Sequence, residues 1–125
     1  MTSTMEIKED MTKEVLEQFE QNAQEVGYFE LVNQGGFVVK LGAKYSGGKR
    51  SKETGDILLG QSKKAELGNL EIPNGSLVQI HANVVWGKDK TGTQVFIYRK
   101  GSPIVARYII SGTTLDNNLG LIEVI

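Results

Sequence analysis

The stretch Leu77-Val78-Gln79-Ile80-His81-Ala82-Asn83-Val84-Val85-Trp86 decides the fold. Val78, Ile80, Ala82, Val84 and Trp86 are apolar, and Gln79, His81 and Asn83 alternate with them. A period of two places the apolar set on one side of an extended chain, so the segment reads as a half-buried strand. Phe37-Val38-Val39-Lys40-Leu41-Gly42-Ala43-Lys44-Tyr45 repeats the pattern, with apolar residues at the odd positions and largely polar or small ones at the even positions. Further strand-like runs occupy 28–32, 56–59, 63–67, 94–99, 104–110 and 119–124. Turn chemistry separates them: Ser46-Gly47-Gly48, Pro73-Asn74-Gly75, Gly87 through Gly92, Gly101-Ser102-Pro103 and Asp116-Asn117-Asn118. About seven short strands with Gly-rich turns and no helical pattern between them predict a mainly β fold, a two-sheet antiparallel β-sandwich.

Ahead of the strands the period changes. Met11, Val15, Phe19, Ala23 and Val26 recur at spacings of three and four, with Leu16 beside them, which predicts one amphipathic helix over 10–26. Asp10 or Thr12 is placed to cap its start and Gly27 to end it. The chain of 125 residues has the size of one domain. It divides into an acidic N-terminal arm and helix, 1–27, and a β-sandwich binding domain, 28–125.

The net charge of −1 conceals an asymmetry between these parts. Residues 1–30 carry eight acids against Lys8 and Lys13, giving −6; residues 31–125 carry twelve Lys or Arg against seven acids, giving +5. Two readings stand: the arm docks on the body or keeps it in solution, or the body approaches an anionic surface. Nucleic acid is not expected, because the excess is modest and no nucleic-acid-binding motif accompanies it. The chain has no cysteine, which excludes disulfides and thiolate chemistry. Its N-terminus has no apolar run of the signal-peptide kind, so the expected location is cytoplasmic as synthesised, or outside after release without a classical signal.

Residues for catalysis are scarce. His81, the single histidine, lies among the polar positions of its strand without a second His or Cys, so it reads as a satisfied or surface histidine and no metal site is expected. No Gly-x-Ser-x-Gly elbow supports a Ser-His-Asp arrangement. Gly35-Gly36 and Gly47-Gly48-Lys49-Arg50-Ser51-Lys52 lack the spacing of a phosphate loop, and hairpin turns explain them better. The expectation is a non-enzyme with no cofactor.

Recognition by loops is what remains. Trp86 stands where a strand enters Gly87-Lys88-Asp89-Lys90-Thr91-Gly92; an aromatic there stacks on a sugar, enters a lipid interface, or closes the end of the core. Thr113-Thr114-Leu115-Asp116-Asn117-Asn118 places one branched apolar residue on a polar tip, where Leu115 either probes a ligand or folds back to plug the sandwich.

Three segments resemble the C-terminal domain of the cholesterol-dependent (thiol-activated) cytolysins. Gly35-Gly36-Phe37-Val38-Val39-Lys40-Leu41 is similar to its glycine–aromatic–valine strand opening. Ile72-Pro73-Asn74-Gly75-Ser76, leading into Leu77 through Trp86 and Gly87, resembles its proline turn and the strand feeding its tryptophan-rich membrane loop. Ser111-Gly112-Thr113-Thr114-Leu115 resembles its Gly-Thr-Thr-Leu segment. The resemblance implies a stand-alone recognition sandwich without the pore-forming domains, with Thr114 and Leu115 matching the sterol-recognising pair and Trp86 a loop tryptophan. The family's loop carries a cysteine and several tryptophans; residues 83–94 hold Trp86 alone.

The expected function is therefore a non-catalytic recognition module. It binds a membrane or cell-surface component (sterol, lipid headgroup or glycan) through Trp86, Lys88, Lys90, Thr114 and Leu115. The alternatives are a protein-interaction module that self-associates as a homo-oligomer through residues 10–26, and a small defence or toxin component with an unseen partner.

Overall fold

The computed structural model describes residues 22–125. Residues 1–21 lie outside the described residues, and with them most of the helix predicted over 10–26 and the self-association assigned to it. The end of that prediction is corrected: Gln24–Val26 is a strand, β1. Val26 is fully buried and pairs with Tyr98, so a tertiary position in a sheet overrides the local helical period.

Ten strands follow one another: β1, β2 (Tyr28–Gly35), β3 (Val39–Tyr45), β4 (Lys49–Arg50), β5 (Ser62–Glu66), β6 (Leu77–Val84), β7 (Lys90–Thr91), β8 (Phe96–Tyr98), β9 (Val105–Gly112) and β10 (Asn117–Val124). A single 3-10 turn, Leu67–Leu70, sits between β5 and β6. One sheet has the order β1-β8-β6-β3-β4, with β7 also paired to β6; the other has the order β10-β9-β2-β5. The mainly β, two-sheet architecture is the predicted one. Two pairings depart from an all-antiparallel arrangement: β1 with β8, and β2 with β9 along eight residues, are parallel. Hairpin turns in a sequence announce only antiparallel neighbours, and these parallel partners are far apart in the chain. The run 56–59 contributes one bridge, Ile57 to Val39, before turning away.

The core forms where the two inner faces meet. Phe29 of β2 meets Phe96 of β8 edge to face, with ring centroids 5.8 Å apart, and meets its sheet neighbour Tyr108 at 6.1 Å. Leu31, Val39, Leu41, Ile57, Ile80 and Ile110 fill the layer around them and are fully buried. Every second residue of β6 supplies the core, yet Gln79 and His81 on the opposite side are buried as well. The segment around β7 folds over them: Gln79 Nε2 donates to Gly92 O at 3.0 Å, and the His81 ring meets Thr91. On the outer side of the second sheet, Arg107 ties three strands together through Glu30 at 2.9 Å and Glu123 at 2.7 Å.

One polar residue lies inside this apolar frame. Asn33, 0% exposed, donates from Nδ2 to Phe37 O at 2.7 Å and to Ile57 O at 3.0 Å. Its Oδ1 accepts from the Gly35 N–H at 2.8 Å. These bonds fix the β2–β3 connection and the Ile57 segment at one end of the sandwich, the end that carries the exposed apolar tips.

Candidate functional site

β6 runs to Val84 opposite Val39, and β9 runs to Gly112 opposite Gly35. The short connection from Gly35 to Val39 joins those levels, so the β2–β3, β6–β7 and β9–β10 connections all emerge at one pole. Two of them are bonded to each other. The Lys88 N–H donates to Thr114 O at 2.9 Å, and Asn117 Nδ2 donates to Lys88 O at 2.9 Å. Gly87 permits the approach, because a Cβ built there would lie 2.3 Å from Thr114 O.

Both tips point outward. Trp86 is 94% exposed and Leu115 is 65% exposed. The open alternatives, a tryptophan closing the core and a leucine plugging the sandwich, are thereby removed. Val84 through Gly87 form a turn closed by the Gly87 N–H on Val84 O at 3.1 Å, with Trp86 at φ 63°. This left-handed conformation is costly for a bulky residue and turns the indole away from the sheet. Lys88 is exposed beside it; Lys90 is exposed one step back along β7, opposite Ala82. Thr114 is half-buried, and the atom it contributes to the loop junction is its backbone carbonyl. Thr113 Oγ1 accepts from the Asp116 N–H at 3.2 Å, and the Thr113 N–H reaches Asp116 O at 2.9 Å, which closes the Leu115 tip.

Sequence reasoning missed a third tip. Leu58 and Leu59 are 48% and 62% exposed. Ile57 is level with Val39, so the chain after it rises beside Val38 to the same pole. There it turns, with the Gln61 N–H on Leu58 O at 2.9 Å and the Gly60 N–H on Asn33 O at 2.7 Å. A signal was present: consecutive leucines cannot both face the core of one strand, and Gly60 follows them at φ 84°. The Ile57 segment is two strand spacings from β6, which puts this tip about 10 Å to the side of the Trp86 turn.

Beneath the Trp86 turn lies a polar chain that runs from the buried His81 out to the surface. His81, 5% exposed, meets Asp89 Oδ2 through Nε2 at 3.0 Å and Thr91 Oγ1 through Nδ1 at 2.9 Å. A neutral ring protonated on Nε2 satisfies both partners. The other Asp89 oxygen accepts from the Val84 N–H at 3.0 Å. The order Thr-His-Asp invites comparison with a hydroxyl-activating relay, but here the main chain around Thr91 is engaged. Thr91 pairs with His81 in the ladder, and the neighbouring Gly92 N–H is spent on Ile80 O at 2.8 Å. A relay needs free donors for the developing oxyanion. Among the described residues no group of three or more His, Asp or Glu is placed to hold a metal.

Burial lowers the His81 pKa from its usual value; the Asp89 hydrogen bond and charge oppose the shift, while Arg50 and Lys44 add to it. The unfolded ring titrates at about 6.5. Below that pH the unfolded chain binds the extra proton first. The contribution of His81 to stability is thus complete above about pH 6.5 and declines as the pH falls through the folded pKa, by at most ~1.4 kcal/mol per pH unit. The melting temperature, followed from pH 7.5 downwards, is expected to fall below about pH 6.5 in the wild type. In His81→Phe the onset of that decline moves down to the carboxylate range. An identical pH profile in both proteins would contradict this.

No family model and no curated protein matches the chain. Solved structures with a similar course do exist. The chain is similar to listeriolysin O with 14% identity and a TM-score of 0.44, over 77% of this chain and 22% of that one. It is similar to a Gram-negative toxin with 20% identity and a TM-score of 0.44, over 76% and 22%. Against the membrane-binding domain of pneumolysin the identity is 16% and the TM-score 0.40, over 78% of this chain and 96% of that domain. The chain thus spans about a fifth of the length of the first two proteins.

Proposed function

We propose that the pole formed by the Trp86, Leu115 and Leu58–Leu59 turns is a non-catalytic binding face for membrane surfaces. The observation that carries this reading is the gathering of four large apolar side chains, 48–94% exposed, on three separate turns at one end of the sandwich. Scattered apolar residues on a surface need no explanation, but a set concentrated at one pole and held out by the backbone does. Trp86 suits the boundary between headgroup and acyl chain, where an amphipathic ring is favoured. Lys88 and Lys90 add attraction to an anionic leaflet, on the order of 1 kcal/mol per lysine near the surface. Each apolar side chain contributes about 1.5–3 kcal/mol if fully buried, before the cost of ordering the complex. One domain thus binds weakly, and clustering of several on a vesicle strengthens attachment through avidity.

Sedimentation with vesicles tests the proposal. Vesicles of phosphatidylcholine, of phosphatidylcholine with phosphatidylserine, and of each with sterol separate apolar, anionic and sterol contributions, and a glycan array supplies the competing outcome. Binding to anionic vesicles that weakens with salt is expected; sugar binding without vesicle binding would replace this reading with a lectin-like one. Trp86→Ala and Leu59→Ala are each expected to weaken vesicle binding roughly tenfold to thirtyfold, since every 1.4 kcal/mol is a factor of ten. Their melting temperatures should stay at the wild-type value, because both side chains already face water. Unchanged binding in both variants would remove the pole from the site.

A further inference from the structure

Trp86 is held at φ 63°, a conformation a tryptophan does not adopt without restraint. Its own turn supplies one bond, from the Gly87 N–H to Val84 O. Main-chain bonds hold its two ends, from the Val85 N–H to Val38 O at 2.9 Å and from the Lys88 N–H to Thr114 O at 2.9 Å, and a further restraint comes from below. Asp89, three residues further on, reaches back across the turn and accepts the Val84 N–H on Oδ1 at 3.0 Å. That bond closes the segment from Val84 to Asp89 into a ring with Trp86 at its apex. The carboxylate can span the turn only if its plane is fixed, and the fixing partner is His81, whose Nε2 meets Oδ2 at 3.0 Å. The imidazole is itself locked on its other side by Thr91 Oγ1 at 2.9 Å. Arg50 of β4 approaches the same carboxylate at 3.9 Å and is paired with Glu53 at 2.8 Å. Glu53 in turn accepts from Asn83 Nδ2 at 3.0 Å, and Lys44 of β3 completes the charged groups whose field reaches the ring.

We infer that His81 and Asp89 are positioning residues for the membrane-facing tip: added to the main-chain bonds at its two ends, they hold the Trp86 turn in the conformation that projects the indole from the pole. The consequence for membranes rests on the reading of the pole given above; the consequence for the turn does not. His81 is buried while the Asp89 side chain reaches the surface, and a hydrophobic pair of similar size would fill the same space without bonding the loop. What a carboxylate and an imidazole supply instead is a directed bond to a main-chain N–H that no strand neighbour satisfies. The pair ties the sheet's outer layer to the tip, so the tip is stiff before it meets a surface, and no ordering cost remains for it at that moment.

The experiment compares Asp89→Ala with Asp89→Asn in the full chain. The amide retains an oxygen for the Val84 N–H. Its NH₂ faces His81 Nε2, which accepts once the ring proton moves to Nδ1, where Thr91 Oγ1 takes it. Asp89→Asn is therefore the rescuing variant and Asp89→Ala the loss. The first readout is ¹⁵N relaxation in buffer of the backbone amides of Trp86 and Gly87, at the apex of the turn between the amides bonded to Val38 and Thr114. Order parameters near 0.85 are expected in the wild type and in Asp89→Asn, and below about 0.6 in Asp89→Ala, with the strands unchanged in all three. If Asp89→Ala loses the fold by circular dichroism, His81→Phe, which leaves the carboxylate without its anchor, provides the same comparison. The inference is overturned if the loss variant keeps the turn as ordered as the wild type, or if Asp89→Asn is as disordered as Asp89→Ala. The second readout is sedimentation with anionic vesicles, expected to fall about tenfold in the loss variant. Should the wild type itself not bind vesicles, the reading of the pole fails, while the relaxation data still decide the role of the pair.

Discussion

Asn33→Leu is expected to lower the stability of the domain by about 3–5 kcal/mol, the largest effect of any single substitution considered. Leucine has the branching of asparagine but bulkier methyl ends, so some overpacking adds to the loss. The larger part of the loss is polar. Phe37 O and Ile57 O each lose a donor, and the Gly35 N–H loses its acceptor, all around a side chain that is 0% exposed. A buried polar group left without a partner costs about 1–3 kcal/mol, and three such groups lie close enough to relax partly together. Against a typical total of 5–15 kcal/mol this removes much of the margin. The melting temperature should drop by roughly 15–25 °C, as judged from about 4–8 °C per kcal/mol for a domain near this size. Asn33→Asp retains an acceptor for Gly35 but leaves both carbonyls facing a carboxylate, and it should be as damaging. A drop of under 5 °C for Asn33→Leu would show that the two segments at the pole do not depend on this amide.

Gly87→Val is expected to separate the Trp86 and Leu115 tips and to reduce vesicle binding by about thirtyfold while costing only ~1–3 kcal/mol of stability. A Cβ at position 87 would lie 2.3 Å from Thr114 O, 2.9 Å from Thr114 C and 2.9 Å from Thr114 Cβ. Backbone on both sides must move, since two of these atoms belong to the Thr114 main chain. The bond from the Lys88 N–H to Thr114 O breaks, and with it the bond from Asn117 Nδ2 to Lys88 O. The core beneath is untouched, because Val84, Ile80 and Ile110 lie behind the loops. Binding should fall because two tips that were presented together are then presented one at a time. About 2 kcal/mol, the contribution of one side chain, corresponds to roughly thirtyfold. Gly87→Ala should show the same effect in weaker form. Vesicle sedimentation beside thermal melting separates the outcomes; wild-type binding in Gly87→Val would show that the tips act independently.

Much of this fold was legible in the sequence because its strands bury one face only. The alternation in 37–45 and 77–86 located β3 and β6, and Gly-rich turns bounded them. Parallel partners were not legible. Nothing local to 28–35 or 105–112 indicates that these strands lie side by side, because a parallel pairing is fixed by the whole core. The helical period running into residue 26 misled for the same reason: Val26 obeys the core beside Tyr98 rather than its neighbours in sequence. At the pole, Trp86 and Leu115 could be named as tip residues but not oriented, since an apolar residue at a strand end suits a core lid as well as a surface probe. Their direction is set by a long-range bond, from Lys88 to Thr114, and by the Asp89 side chain reaching back across the turn to the Val84 N–H, and no pattern announces either. Leu58 and Leu59 were overlooked because they extend an apolar run, and only the turn after Ile57 converts that run into a tip.

Trp86 is the single tryptophan of the chain, so its fluorescence reports on the pole alone. The decisive measurement is quenching of that fluorescence by vesicles whose lipids carry bromine along the acyl chains, with anionic headgroups present. If the pole enters the interface, quenching should be strong, should be deepest for bromine near the headgroup end, and should be lost with high salt. Emission that stays as in buffer while the protein co-sediments with the vesicles would place the contact elsewhere on the molecule and contradict the proposed binding face.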